Sequence, residues 1–114
     1  GLKIGKNSSF SEYSVFGSAG GIVIGEDVIA GQNVRFHAEN HNYKDSNRII
    51  REQGVNRKGI SVGNNCWIGA GAVFLDGSSI GSGCIVSANA VVTKKFPDNV
   101  IIGGIPAKIL KNRC

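Results

Sequence analysis

The sequence predicts an all-β protein built as a parallel β-helix, and three observations carry that prediction. Apolar residues return at every sixth position from Val62 onward, at Val62, Ile68, Phe74, Ile80, Val86 and Val92. The fifth place of each six is small, held by Cys66, Ala72, Ser78, Cys84 and Ala90. Glycine fills the second place at Gly63, Gly69 and Gly81. A fixed internal period outranks local propensity as a guide to architecture. A helix with 3.6 residues per turn would scatter residues spaced by six around its surface, and a plain strand would alternate without a recurrent glycine. Short strands joined by tight corners satisfy both facts, and three of them close a triangular coil of about 18 residues. The apolar heads fill the interior, fifth-place residues must be small because they share it, and the glycines are expected to ease corners whose backbone angles disfavour a side chain. Successive coils should stack at the strand spacing of about 4.8 Å.

In chain order, Leu2 to Phe16 offers Ile4-Gly5, Phe10 and Phe16 at intervals of six, with Ser14 in the small place. This is the degenerate coil at one end of the column. Gly20-Gly21 breaks the frame, which restarts at Ser18: Ile22, Val28 and Val34 take the fifth place, Gly25 and Gly31 the second, and Ile24, Ala30 and Phe36 the head. From His37 to Lys58 the period stops, in the most polar stretch of the chain, which also holds both histidines. An insertion of this length into a regular column predicts a functional loop projecting from its side, spanning about residues 37–60. Within it, Arg48 to Gln53 is expected to form a helical turn ended by Gly54. The repeat returns through Lys94 and leaves the frame at Phe96-Pro97. Val100-Ile101-Ile102 reads as a short strand, Gly103-Gly104 as a turn, Ile105-Pro106 as an extended step, and Ala107 to Lys111 as a terminal helical turn. That segment, about 96–114, would cap the open end of the stack, whose unpaired backbone would otherwise face water.

With 114 residues the sequence supports a single domain, and the formal net charge is +5. A column one side chain wide leaves outer faces to be covered, which favours self-association. Between Gly59 and Thr93 the only charged residue is Asp76; the cations gather in the loop (Lys44, Arg48, Arg51, Arg57, Lys58) and in the tail (Lys94, Lys95, Lys108, Lys111, Arg113). Such clusters suit anionic partners. The aromatics are not interleaved with them as stacking platforms, which argues against nucleic acid. No apolar run approaches the roughly 20 residues of a membrane span, and no charged-then-apolar leader opens the chain, so a cytoplasmic protein is expected. Because Gly1 already lies within repeat-like sequence, an upstream segment is a further expectation. Cys66 and Cys84 share the same place one coil apart and are expected inside as reduced thiols, their redox state left open.

The repeat, followed by Val92-Thr93-Lys94, Asn99-Val100, Gly103, Pro106, Ala107 and Lys108, resembles the left-handed β-helix hexapeptide acyltransferases, in the maltose, galactoside and polysaccharide O-acetyltransferase branch. The resemblance implies the left hand of the coil, a homotrimer with sites between subunits, and acetyl-CoA as donor. It implies His41, in Asn40-His41 upstream of the last coils, as the catalytic base, a role that suits a side chain titrating near neutrality. His37 lies outside that motif. Donor positions carried over are Ala70 and Ala88 for the pantetheine arm, and Thr93, Lys94, Lys108 and Lys111 for the phosphates. On the acceptor side, Ser11, with Glu12 and Tyr13 beside it, stands where the resemblance puts the asparagine of the sugar-acetylating enzymes, so the sequence departs from the pattern there. Trp67, next to an inward cysteine, should face outward and serve contact.

These residues imply acetyl transfer from acetyl-CoA to a hydroxyl of a sugar or polysaccharide acceptor, without a covalent enzyme intermediate. The alternatives are a non-sugar acceptor, or a column that binds without catalysing. A zinc centre is not expected, because catalytic zinc wants three protein ligands and the chain holds two histidines on one loop. Gly69-Ala70-Gly71 and Gly81-Ser82-Gly83 are corners of the repeat and do not open a helix, which excludes a dinucleotide fingerprint.

Overall fold

The six-residue period becomes three flat faces. In the computed structural model, which describes residues 1–114, the first face stacks Leu2–Ile4, Ile22–Ile24, Ile60–Val62, Ser79–Ile80 and Lys95–Phe96. The second stacks Ser9–Phe10, Ile29–Ala30, Trp67–Ile68, Ile85–Val86 and Val100–Gly104; the third stacks Val15–Gly17, Arg35–His37, Val73–Leu75 and Val91–Val92. All pairings between coils are parallel, and equivalent places lie in register, as in Phe10↔Ala30, Ala30↔Ile68 and Ile68↔Val86. Each strand bonds to the coil before and after it, so the stack satisfies its own backbone.

The predicted heads and small residues form the interior. Val62, Ile68, Phe74, Ile80, Val86 and Val92 are buried together with Cys66, Ala72, Ser78, Cys84 and Ala90. On the third face the head place holds Phe16, Phe36 and Phe74, whose rings stack at 5.2 and 4.8 Å with interplanar angles of 7° and 15°. Aromatic rings one coil apart thus meet at the strand spacing itself. Ser78 is the misfit, since its buried hydroxyl has no hydrogen-bond partner in a place that its neighbours fill with cysteine or alanine.

The second-place glycines have a different cause from the one expected. Gly63, Gly69 and Gly81 do not adopt left-handed angles; a Cβ on each would run into the backbone of the next coil, at Ser82, Ala88 and Asp98 respectively. Close stacking excludes the side chain. The left-handed residues sit two places later, at Asn7, Asp27, Asn33, Asn65, Gly71, Gly77, Gly83, Asn89 and Asn99, which are the residue types that tolerate positive φ. Tyr13 occupies the same place at φ 64° and is the exception.

Irregular lengths all fall on one corner. From first face to second and from second to third, buried heads remain six apart, as in Ile24, Ala30 and Phe36. From third to first the spacing varies: Phe74 is followed by Ile80 six residues on, but Phe16 by Ile24, Phe36 by Val62, and Val92 by Phe96. The column is therefore kept through His37 and the buried Ala38, and the long insertion leaves from the third corner.

The expectations for the tail need correction: Gly103 and Gly104 end the strand Val100–Gly104, and the turn falls on Ile105–Pro106. The chain does not leave the column at Phe96, because Phe96, Val100 and Ile102 are buried and Val100–Gly104 pairs in parallel with Ile85–Val86. The terminal helical turn is absent: Ala107–Asn112 is a strand, antiparallel to Val100–Gly104, with Ile109 and Leu110 exposed. After a cis Ile105–Pro106 bond, the reversal lets the second face close its own last edge with a ladder, which a helix could not supply.

Candidate active site

The projecting loop is an ordered flap. Asn40–His41 pairs antiparallel with Val55–Asn56, placing His41 opposite Val55, and a 3₁₀ turn at Ile50–Gln53 ends at Gly54 with φ 82° as expected. Polar side chains lock its interior. The Gln53 amide donates to the carbonyls of Asp45 and Arg48, both at 2.9 Å, and accepts from the Asp45 N–H at 3.2 Å. Asn42, beside His41, donates to the Gln53 carbonyl at 3.0 Å and accepts from Asn56 at 2.9 Å. His41 is exposed on this frame.

The flap joins the column through two short stems. Ala38 is buried and donates to the Gly17 carbonyl at 2.9 Å. Gly20 lies so close that a Cβ there would strike the Ala38 carbonyl oxygen. On the returning stem, the Asp76 carboxylate accepts from Lys58 N–H at 2.9 and 3.1 Å and from Gly59 N–H at 2.8 Å. Burying a carboxylate is costly unless its lone pairs are filled, and Asp76 fills them with flap backbone. The ion pair of Glu39 with Arg57 at 3.1 Å spans the two stems and, being half exposed, contributes little.

Sequence-predicted donor and acceptor residues divide between two corners. At the second corner, Glu12, Gln32 and Ala70 form a ladder: Asn33 N–H bonds the Glu12 carbonyl, Gly71 N–H that of Gln32, and Asn89 N–H that of Ala70. Ser11 begins this edge and Ala88 continues it. Gly103 packs against Ser87, so its strand partner Lys108 lies near the same corner. Thr93 and Lys94 instead lie on the third corner, below the flap root, with the Lys94 ammonium 5.5 Å from the Phe96 ring centre. Lys111 pairs with Ile101 on the added edge strand. Trp67 faces outward at 58 % exposure, in a row with Ile29, Ile85 and Ile101 on the second face. None of the five main recesses of the chain is lined by His41, Ala70 or Ala88. His37 lies apart from His41, lining a recess of about 230 Å³ with Ser18, Ala19 and Glu39.

The two regular corners differ in one respect that bears on binding. At the first corner, third-place amides are answered by side chains: Glu26 N–H by Asn64, Asn64 N–H by Ser82, and Ser82 N–H by Asp98, each at 2.9 Å. At the second corner the amides of Glu12, Gln32, Ala70 and Ala88, all on exposed residues, donate to no group of the chain. Alanine has no side-chain acceptor to offer the coil above. The result is a row of free N–H groups one coil apart on an exposed edge, Ala70 and Ala88 among them.

Inside the column, Cys66 and Cys84 are buried free thiols, donating to the carbonyls of Gly81 at 3.2 Å and Pro97 at 3.1 Å. Loss of hydration pushes the Cys66 thiol above its ordinary value. Neither thiol is exposed to act as a nucleophile. No cluster of three or more metal-ligating side chains forms, and no helix is long and apolar enough to cross a membrane.

Sequence reasoning missed three features of this site. Asp76 stood out as the lone charge of the repeat, but its partners are distant in sequence. Gln53 and Asn42 read as ordinary loop polarity. The left-handed fourth place was legible in its run of Asn, Asp and Gly, a pattern that would also have flagged Tyr13.

The profile described as Bacterial transferase hexapeptide (six repeats) matches residues 59–94. The chain is 31% identical over 91 residues to galactoside O-acetyltransferase of Escherichia coli, covering 79% of this chain and 43% of that protein. It is 41% identical over 91 residues to sophorolipid acetyltransferase of Starmerella bombicola, covering 80% and 34%. Among solved structures, a hexapeptide-repeat acetyltransferase of Vibrio cholerae complexed with acetyl-CoA superposes with a TM-score of 0.91 at 28% identity, covering 99% of this chain and 61% of that one. The chain spans less than two thirds of the length of each of these relatives. Superposition on this scale fixes the hand of the coil, so the fold is a left-handed parallel β-helix. With its in-register hexads and matching profile, the chain belongs to the hexapeptide-repeat acyltransferase family, and within it is similar to galactoside O-acetyltransferase.

Proposed function

We propose that this domain transfers an acetyl group from acetyl-CoA to a hydroxyl of a sugar or polysaccharide acceptor. The observation that carries the reading is the free amides at Ala70 and Ala88, where the corresponding amides of Glu26, Asn64 and Ser82 on the first corner are answered by side chains. Two N–H groups one coil apart suit the amide-bearing pantetheine arm of coenzyme A. Thr93, Lys94, Lys108 and Lys111 supply a hydroxyl and cations for its phosphates, Trp67 an apolar wall beside the arm, and Ser11 with Glu12 the acceptor end of the edge. An acetyl-CoA complex of a similar protein supports the donor, and the galactoside enzyme supports the acceptor class.

His41 is the base in this reading. Its neutral imidazole takes the proton of the acceptor hydroxyl, the oxygen attacks the thioester carbonyl, and the tetrahedral oxyanion is held by backbone N–H donors. The C–S bond then breaks, and the imidazolium returns its proton to the departing thiolate. The flap leaves from the third corner and the free amides line the second, so a homotrimer that sets the flap of one chain against the second corner of the next completes the site. The reaction belongs in the cytoplasm with its donor.

The test is thiol release from acetyl-CoA with a panel of hydroxyl acceptors, beside the mass of the assembly by light scattering. His41→Ala is expected to lower turnover by about 10²-fold or more with the trimer intact, while His37→Ala keeps turnover. A fully active His41→Ala, or a wild-type protein that releases no thiol with any acceptor, overturns the reading.

A further inference from the structure

At every other left-handed corner the chain places Asn, Asp or Gly, yet at φ 64° it places Tyr13. Positive φ is a true outlier for a bulky residue. Strain of this kind is retained where the side chain has work to do. Tyr13 lies outside the core at 80 % exposure, the highest value among the exposed large hydrophobic side chains. Beside it lies a recess of about 540 Å³, lined by Tyr13, Ser14, Val15, Gln32, Asn33 and Arg35. The polar groups of that recess are oriented before any ligand arrives: Arg35 Nε donates to Asn33 Oδ1 at 3.1 Å, and Gln32 Nε2 lies 3.4 Å from Glu12 Oε2.

The recess is continuous with the edge of free amides, because Glu12, Gln32 and Ala70 are successive rungs of one backbone ladder. An exposed aromatic face beside fixed amide and guanidinium groups is the chemistry that binds a pyranose. The ring lies against the apolar C–H face of the sugar, and the polar groups meet its hydroxyls. We propose that Tyr13 and this recess form a pyranose subsite that gives cyclic saccharides preference over open-chain polyols. The proposal rests on the acetyl-transfer reading and names the part of the acceptor that the domain grips.

The experiment compares wild type, Tyr13→Asn and Tyr13→Phe with two acceptors, methyl β-galactopyranoside and glycerol, in the thiol-release assay. Binding of the pyranoside is read separately by saturation-transfer NMR. Tyr13→Asn relieves the backbone, so its melting temperature is expected to rise by about 3–6 °C. The kcat/KM preference for the pyranoside over glycerol is expected to fall about tenfold, the scale of one lost ring contact. Tyr13→Phe keeps both the preference and the saturation transfer. An unchanged preference in Tyr13→Asn overturns the subsite, as does an equal fall in Tyr13→Phe. A change of assembly mass in Tyr13→Asn would make the ring a subunit contact and also overturn it. The binding arm separates the two readings. A protein that transfers to no hydroxyl but loses pyranoside saturation transfer in Tyr13→Asn keeps the subsite and loses the reaction. Absent saturation transfer in wild type removes the subsite whatever the activity.

Discussion

The carboxylate of Asp76 accepts the backbone N–H of Gly59 at 2.8 Å, fastening the last residue of the flap to the corner of the following coil. It also takes the Lys58 N–H, and no cation neutralises it within the repeat. All the hydrogen bonds that the carboxylate accepts come from the backbone of the returning stem, so the charge serves the flap. Because Gln53 and Asn42 make the flap internally stiff, the anchor sets its direction. Asp76→Ala is therefore expected to speed hydrogen exchange at Lys58 and Gly59 by tenfold or more, while amides of residues 62–92 keep their protection. Turnover is expected to fall by about 10- to 100-fold, since a small misplacement of a catalytic group has that cost. Unchanged exchange at both amides would contradict the anchor.

Ser78 is expected to be replaceable. Its hydroxyl is buried and unpartnered in a place that accepts alanine one coil side away. Ser78→Ala removes an unsatisfied polar group and should raise stability by about 1 kcal/mol, read as a higher urea midpoint at an unchanged slope.

Gly69→Ala should act in the opposite direction. The added methyl would meet the backbone of Ser87 and Ala88 with no flexible group to give way. A loss of about 1–3 kcal/mol is expected, the range of overpacking. Asn65→Gly, at a left-handed position that glycine also adopts, should cost far less. Equal losses in a urea titration would mean that the second place is limited by backbone angle after all.

The thiols carry a pH dependence. Burial holds the Cys66 thiol above its ordinary value, chiefly through lost hydration and against a smaller lowering by the Cys84 backbone. The folded state therefore binds the thiol proton more tightly than the unfolded state does. This contribution is complete below the usual thiol range of about 8.5 and is lost as pH climbs through the raised value. Urea midpoints should fall between pH 7.5 and 10, with a shallower fall in Cys66→Ala. At pH 8 a thiol reagent should label Cys114, which is exposed, and leave Cys66 and Cys84 untouched until the protein unfolds.

Much of this molecule was legible before any coordinate. The period of six, the inward rank of Cys66, Ala72, Ser78, Cys84 and Ala90, the outward Trp67 and the lateral excursion all follow from local spacing. In a stacked coil each residue meets its own equivalent one turn away, so a repeat in sequence is a repeat in contacts. Five decisions escaped that logic because each joins residues that no period relates. Ala107–Asn112 became a strand because an unpaired edge lay beside it. Gly69 is glycine because Ala88 stands over it, and Asp76 is charged because Lys58 and Gly59 return beneath it. Ala70 and Ala88 present free amides only by contrast with a corner where Asn64, Ser82 and Asp98 answer theirs. The meaning of Tyr13 appeared only when the backbone revealed what angle it holds. Sequence set the coil, because hexad spacing is local; tertiary structure decided the edges, corners and flap, because there distant segments supply each other's missing hydrogen bonds and limit each other's room.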